Sequence, residues 1–140
     1  MLTELRTCHR CETERPLDMF YAEMEARATA RRGRPVRHAC RVCQKAANER
    51  KTAGRRQYVR DLKIRHGCSD CGITSEHPEI FDFDHRPGET KIKSVAALIT
   101  SGPQDALEAE IAKCDLVCAN CHRIRTKLRQ PVHYRGGTYV

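Results

Sequence analysis

At 140 residues, the chain can form one domain or two very small ones, and its three Phe, four Tyr and no Trp cannot build a large apolar core. Burial alone then offsets little of the conformational entropy lost on folding, so a metal or covalent staple is expected. The first residues lack the apolar segment of a secretory signal, and no apolar run reaches the roughly 20 residues that span a membrane. We therefore expect a cytoplasmic protein with reduced cysteines and no membrane partner.

Positive charge is concentrated in the first half of the chain. Residues 1–66 hold 17 Lys and Arg against 8 Asp and Glu, whereas residues 67–140 hold 9 against 10. Most of the excess is arginine, whose planar guanidinium pairs well with phosphate. This distribution favours a nucleic acid as the partner. A solvated basic face that only aids solubility is the alternative.

Eight of the nine cysteines form four C-x-x-C pairs. Such a turn brings two thiolates close enough to bind one tetrahedral zinc ion, and two turns complete a closed site. Pairing of neighbouring turns leaves 28 residues between the first two and 46 between the last two, while an interleaved cross-brace and redox-active dithiols are the alternatives. We predict two structural zinc sites, one of Cys8, Cys11, Cys40 and Cys43 and one of Cys68, Cys71, Cys118 and Cys121.

A first zinc module is predicted over residues 1–50, with a basic helix over residues 51–66 linking it to the second. A helical pattern runs from about Arg41 to about His66, and Gly54 is expected to split or bend the helix. The loop before this helix contains Gly33 and Pro35, which argue against regular structure. The predicted nucleic-acid contacts of this region are Arg31, Arg32, Arg34, Arg55 and Arg56.

A second module is predicted over residues 67–130, followed by a tail over 131–140. Residues 79–85 alternate as a strand does, with Phe81 and Phe83 on one face. Cys114 is expected to be buried beside a second strand. The ranges of the remaining predicted elements are two short helices over 94–100 and 103–113, a strand over 115–118 and a helix over 119–128.

Three residues of the second module have the chemistry of a catalytic metal site. Asp84 and His85 end the first predicted strand, and His122 directly follows the last cysteine. A carboxylate and an imidazole suit one divalent ion whose other ligands are water and phosphate oxygens. Because neighbouring residues of a strand point to opposite faces, the strand must end or twist at Asp84 for His85 to serve the same site.

Several pieces of the chain resemble the HNH endonuclease family, in particular its zinc-bracketed members from bacteria and their phages. The pieces CSDCG, FDFDH and CANCHRIRT carry the resemblance over residues 67–129. The pieces CHRCETERPLDMFY and CRVCQKA resemble the N-terminal zinc knuckle of some of these nucleases. The resemblance implies a small zinc-stabilised α+β protein, in which a ββα-metal nuclease fold follows a helical zinc-knuckle module. It also implies a location in a bacterial cell or a phage-infected host.

The resemblance assigns a role to each residue of the site. His85 is the general base that deprotonates the attacking water, and Asp84 and His122 hold Mg²⁺ or another divalent ion. The implied activity is hydrolysis of phosphodiester bonds in DNA. An imidazole can accept a proton at cellular pH, and a divalent ion offsets the charge that grows on the phosphate.

One position departs from the family pattern. The middle Asn of the family motif, which orients the general base, usually lies about ten residues before the final His, and here that region reads AEIAK with no Asn. Asn120, inside the last zinc turn, is the candidate replacement, with a turn-stabilising role as its alternative. Arg123, Arg125, Lys127 and Arg129 on the following helix are candidate phosphate contacts, and a solvated helix face is their alternative.

Two other classes of function compete with the nuclease. The first is a non-catalytic zinc-dependent module that holds nucleic acid without cutting it. The second is a protein-interaction domain of the RING cross-brace kind, which would need interleaved cysteine pairs. A homodimer and phage packaging proteins are compatible partners that the sequence does not choose between.

Overall fold

The fold is α+β in the computed structural model, which describes residues 4–21 and 38–129. These residues form four α-helices and two small antiparallel sheets. The elements in chain order are β1 (Leu5–Thr7), β2 (Glu14–Pro16), α1 (Arg41–His66), β3 (Phe81–His85), α2 (Val95–Ser101), α3 (Gln104–Ile111), β4 (Cys114–Cys118) and α4 (Ala119–Arg129). Single turns of 3-10 helix occupy Leu17–Met19 and Pro78–Ile80. None of the helices in the described part is long and apolar enough to cross a membrane.

The chain forms two compact units, Met1–Ala53 and Gly54–Val140. The boundary falls inside α1, where the sequence analysis placed a linking helix over 51–66. Gly54 was expected to split or bend the helix, but α1 is helical without interruption from Arg41 to His66. A single glycine costs a helix only about 1 kcal/mol, which 26 residues of hydrogen bonding absorb.

In the first unit, a cysteine turn separates two short strands. Strands β1 and β2 pair with Leu5 opposite Pro16, and the turn between them carries Cys8 and Cys11. Phe20 is buried against the cysteines and makes an edge-to-face contact with His38. This hairpin was not predicted, because its three-residue strands are too short to display an alternating pattern.

In the second unit, β3 and β4 form a hairpin joined by the two helices α2 and α3. The register places Phe81 opposite Cys118 and His85 opposite Cys114. Strand β4 passes directly into α4, since Cys118 ends the strand and Ala119 begins the helix. Both strands have contacts with α4. The hairpin and α4 therefore form a compact strand–strand–helix arrangement.

The two faces of β3 differ in chemistry. Phe81 is fully buried beside Cys68 and Cys118, and Phe83 packs against a second apolar cluster of Val59, Val95, Leu98 and Leu107. Asp82 and Asp84 alternate with these phenylalanines and so lie on the opposite face. The predicted strand over 79–85 is shortened at its start, where Pro78–Ile80 form a helical turn. Cys114 is half-buried within β4, one residue earlier than the predicted strand begins.

Candidate functional site

The first cysteine quartet combines a turn with the start of a helix. The four Sγ atoms of Cys8, Cys11, Cys40 and Cys43 lie within 4.8 Å of one another. The turn is closed by the backbone N–H of Glu12, which donates to the carbonyl of Cys8 at 2.8 Å. Cys40 immediately precedes α1, and its N–H donates to Cys8 Sγ at 3.3 Å. The quartet has the ligand set of a closed structural zinc site.

The second quartet is built in the same way. The Sγ atoms of Cys68, Cys71, Cys118 and Cys121 also lie within 4.8 Å of one another. Gly72, in the left-handed region at φ +72°, closes the turn by donating to the carbonyl of Cys68 at 3.0 Å. The pairing of neighbouring turns is therefore confirmed in both units, and the interleaved pairing that a RING-type domain needs is not found.

The pKa values of the thiols within each quartet differ widely. Burial opposes ionisation of Cys8, but hydrogen bonds from the backbone N–H groups of Cys40, Cys11 and Arg10 outweigh it and lower its pKa to about 5. The neighbouring thiol of Cys40 raises the pKa of Cys43 to about 12. Neighbouring thiolates repel one another, and this repulsion raises the pKa of some of the thiols. A cation bound between the sulfur atoms offsets the repulsion, and zinc binds thiolates. The donor set thus fits two zinc ions, one in each unit.

Asp84 and His122 approach each other on the face of the hairpin that α4 covers. His122 Nε2 lies 3.8 Å from Asp84 Oδ1, and the carboxyl group of Asp84 is buried. The other ring nitrogen of His122, Nδ1, lies 3.0 Å from Asp82 Oδ2. A carboxylate that accepts from one imidazole nitrogen orients the ring and increases the basicity of the other nitrogen, as in many metal sites. Asp82 therefore holds the His122 ring with Nε2 towards Asp84.

His85 is held from α3 by a glutamate that the sequence analysis missed. His85 Nε2 lies 2.8 Å from Oε1 of Glu110, whose side chain is only 2% exposed. Lys113 and then His85 lower the pKa of Glu110 to about 2, so the carboxyl group is ionised at neutral pH. Glu110 also accepts from the backbone N–H of Ile92 at 3.0 Å. It lies within the region where the family pattern has its Asn, and a search for Asn alone overlooked it.

No hydrogen bond or ion pair of the described residues joins His85 to Asp84 or His122. The alternation of β3 explains this, because His85 lies on the face of the strand that meets α3, whereas Asp84 faces α4. His85 is the last residue of the strand, one peptide unit from Asp84. Its Nδ1 atom makes no hydrogen bond within the part of the chain that the structure describes.

Two arginines of α4 hold the carboxylate of Asp84. Arg129 donates from Nη1 to Oδ1 at 2.8 Å and from Nη2 to Oδ2 at 2.9 Å. Arg125 donates to Oδ2 at 3.1 Å and also binds Asp70 and Asp115. Burial opposes the ionisation of Asp84, but these hydrogen bonds outweigh it and hold its pKa below the ordinary value. Arg125, predicted as a phosphate contact, is instead the centre of a network of three carboxylates.

The opposite side of α4 presents cations without such partners. Arg123 and Lys127 are exposed, and no ion pair with a described residue is found for either. Together with His122 and Thr126 they line an open cavity of about 350 Å³. Positions 123 and 127 are one helical turn apart, as are 125 and 129, so α4 has one basic face bound to carboxylates and another facing solvent.

The remaining predicted site residues are scattered. Asn120 is exposed on the first turn of α4, and the hydrogen bond to His85 comes from Glu110 instead. Arg55 donates to the carbonyls of Ile99 and Thr100 at the end of α2, and Arg56 is exposed. Arg31, Arg32 and Arg34 lie outside the described residues.

Comparison with known proteins adds no family. No protein-family model, no curated protein and no solved structure matches the chain.

Proposed function

We propose that the second unit is a divalent-metal-dependent endonuclease of the HNH type that hydrolyses phosphodiester bonds in DNA. The observation that carries the proposal is the pair of histidines held by carboxylates: Asp82 orients His122 towards Asp84, and Glu110 orients His85. His122, fixed at one nitrogen beside the buried Asp84, suits metal binding, and His85, fixed at one nitrogen by Glu110, suits proton transfer. The strand–strand–helix arrangement agrees with the ββα-metal fold that the resemblance implies.

The side chains of Asp84 and His122 fit one divalent ion. A separation of 3.8 Å between Oδ1 and Nε2 suits two ligands that share an ion at about 2.0–2.2 Å from each. Within the described residues, only the cysteine quartets gather three or more potential ligands, so water and phosphate oxygens would complete this site. When bound, the ion supplies positive charge to the phosphate oxygens as negative charge grows on them.

His85 is the general base of the proposed reaction. Glu110 accepts a hydrogen bond from Nε2–H, which leaves Nδ1 unprotonated and able to take a proton from water. The imidazolium that forms is stabilised by the ionised glutamate, in the way that a buried aspartate supports histidine in hydrolases. Lys113 and the Ile92 N–H hold the glutamate in place, so the ring keeps one orientation.

DNA is bound, in this proposal, along the solvent face of α4. Arg123 and Lys127 flank the cavity that includes His122, so a phosphate there would lie beside the metal ligand. Exposed cations without a protein partner can contact phosphate without first breaking an ion pair.

A non-catalytic DNA-binding module is the second candidate. The observation that favours it is the engagement of both Asp84 oxygens by Arg125 and Arg129, which makes the aspartate a structural anchor for α4. In that case the second unit would bind DNA through α4, and Asp84 would never meet a metal ion.

Plasmid cleavage separates the two candidates. The zinc-loaded protein is incubated with supercoiled plasmid and Mg²⁺ or Mn²⁺, and nicked and linear products are quantified. We expect cleavage by the unchanged protein and a loss of about 100-fold or more in His85→Ala, the usual contribution of a general base. His77→Ala is the matched control, since His77 is an exposed histidine whose ring pairs, among the described residues, with Glu76.

Binding is measured in parallel by fluorescence anisotropy with a labelled duplex. Equal cleavage by His85→Ala and His77→Ala would remove His85 from the reaction. Tight binding with no cleavage under any divalent ion would establish the non-catalytic module in place of the nuclease.

A further inference from the structure

Arg129 occupies the position on Asp84 that a metal ion needs. The Asp84 oxygen nearest His122 Nε2 is Oδ1, at 3.8 Å, and this oxygen also accepts from Arg129 Nη1 at 2.8 Å. The second nitrogen of the same guanidinium binds Oδ2 at 2.9 Å. Bidentate arginine–carboxylate pairs are among the stronger hydrogen-bonded contacts in proteins. An ion that binds Asp84 and His122 through Oδ1 therefore competes with Arg129 for that oxygen.

We propose that Arg129 is an internal cation that competes with the divalent ion for Asp84 and, once displaced, binds a phosphate of the DNA. The inference rests on the proposed function, because it requires an ion at Asp84. It adds to the phosphate contact predicted from sequence a competition with the metal ion, which rests on the bidentate pair of Arg129 and Asp84. The free protein keeps its buried carboxylate neutralised, and the ion and DNA replace the guanidinium together.

Arg129 is better suited to this exchange than Arg125. Arg125 binds Asp70 and Asp115 as well as Asp84, and its side chain is 20% exposed. The Arg129 side chain is 38% exposed, and Asp84 is its sole ion-pair partner among the residues described. It is also the final residue of α4. To move from this network to DNA, Arg129 has to break its ion pair with Asp84, whereas Arg125 would have to break three ion pairs.

The displaced guanidinium has a physical reason to meet DNA. A divalent ion on Asp84 cancels the negative charge that held Arg129 and repels it at short range. Arg125 already satisfies the nearby carboxylates, so the available anion is a phosphate of the bound strand. Guanidinium binds phosphate with the same two-pronged geometry that it uses on carboxylate.

Metal affinity gives a readout that does not depend on cleavage. Mn²⁺ is titrated into the zinc-loaded protein by calorimetry, and free Mn²⁺ is checked by its paramagnetic resonance signal. We expect Arg129→Ala to bind Mn²⁺ about tenfold more tightly than the unchanged protein, the scale of one charged hydrogen-bonded pair. Lys93→Ala is the control for loss of one exposed positive charge in the same unit, and its Mn²⁺ affinity should change by about twofold or less, since exposed charges are screened.

The DNA role is tested with the same variants at saturating Mn²⁺. Arg129→Ala should raise the KM for duplex DNA and its dissociation constant by about tenfold, while Arg129→Lys should largely restore both. Tighter metal binding combined with weaker DNA binding is a pattern that mere structural damage does not produce. Circular dichroism verifies folding, and Arg129→Lys provides a second variant if Arg129→Ala unfolds.

Each outcome decides something. Mn²⁺ affinity in Arg129→Ala no greater than in Lys93→Ala overturns the competition, and so does an absence of Mn²⁺ binding in both. Tighter Mn²⁺ binding with unchanged DNA affinity overturns the phosphate contact alone. Mn²⁺ binding that His122→Ala abolishes, in a protein that cuts no DNA, would refute the nuclease while the competition stands.

Discussion

The two cysteine units use the same local design. In each, the residue after the turn donates to the carbonyl of the first cysteine, and the first cysteine donates to the carbonyl five residues on. In each, the residue after the first cysteine donates to the carbonyl two residues before the helical C-x-x-C, His9 to His38 and Ser69 to Leu116. A zinc staple of this kind can therefore be repeated almost atom for atom in two unrelated stretches of sequence.

The units differ in the residues attached to this design. Position three of the turn is Arg10 in the first unit and Asp70 in the second, where it binds Arg125. The residue after the last cysteine is Gln44 in the first and His122 in the second. The same cysteine arrangement therefore accepts different neighbouring residues, and the candidate site of the second unit arises because β3 places Asp82 and Asp84 beside α4.

The largest effect should come from breaking one staple at a time. Cys121→Ser is expected to unfold the second unit and abolish cleavage, whereas the matched Cys43→Ser should disrupt the first unit and leave cleavage of a short duplex intact. Structural zinc contributes apparent free energies of about 10–16 kcal/mol, comparable with the whole stability of a small domain. Zinc content by mass spectrometry should fall from two ions per chain to one in each variant.

Equal loss of cleavage in the two cysteine variants would mean that the units do not act separately. Strong chelation of the unchanged protein should remove the helical circular dichroism signal of both units. A signal that survives complete removal of zinc would show that the staples are not required for folding.

The next prediction compares Glu110, which is hydrogen-bonded to His85, with an exposed glutamate of the same helix. Glu110→Gln should lower kcat by about 10- to 100-fold, the usual range for a residue that orients a catalytic side chain. Glu108→Gln, on the exposed side of the same helix, should not change kcat. Among the described residues of the first unit, no glutamate is hydrogen-bonded to a histidine, so the comparison is confined to the second unit.

The pH dependence follows from the pKa of Glu110. That value, about 2, lies below the ordinary value of 4.5, so the ionised form is favoured and its stabilising effect is lost only as the pH falls towards 2. Because Glu110 is ionised throughout, the rate of Glu110→Gln should lie below that of the unchanged protein at every pH from about 5 to about 9. Equal rates of the two proteins at any pH inside that window would contradict the role of the ionised carboxylate.

A smaller effect distinguishes the two basic faces of α4. The double variant Arg123→Ala, Lys127→Ala should reduce the slope of log affinity for DNA against log salt by about 2, one unit for each phosphate contact. Arg125→Ala should lower thermal stability without changing that slope, because the guanidinium of Arg125 binds carboxylates of the protein and not phosphates of the DNA. An unchanged slope in the double variant would place the DNA elsewhere.

The smallest effect concerns the backbone of the two turns. Glu12 adopts a left-handed conformation at φ 54°, where the second unit has Gly72. Glu12→Gly should stabilise the first unit by about 1 kcal/mol, and Gly72→Ala should destabilise the second by a similar amount. Denaturant unfolding at fixed zinc measures both, and two changes of the same sign would contradict the equivalence of the turns.

Local patterns predicted much of the fold. The C-x-x-C spacing, the alternation of β3 and the length of α1 were all readable, because each reflects hydrogen bonding or periodicity within a short window. Asp84 and His122 were selected from sequence, and the structure places them 3.8 Å apart. The brief strands of the first unit carry too few residues for such a signal.

Tertiary partners were not readable from sequence. Arg125 and Arg129 look like free cations, since the carboxylates that bind them lie 10 to 55 residues away along the chain. Glu110 offered one clue that could have been used. It follows Leu107 by three residues on the inward side of α3, where a lone carboxylate needs a buried partner.

Because β4 passes directly into α4, the rotation of the helix from one residue to the next determines the direction in which His122 points. Cys118 and Cys121 are held by the quartet, and His122 follows with no intervening loop. Each residue of an α-helix turns the chain by about 100°. A single insertion after Cys121 would swing the imidazole and the arginines that follow it about a quarter-turn away from Asp84. The proposed metal site thus depends on the distance in sequence between Cys121 and His122 as well as on the two residues themselves.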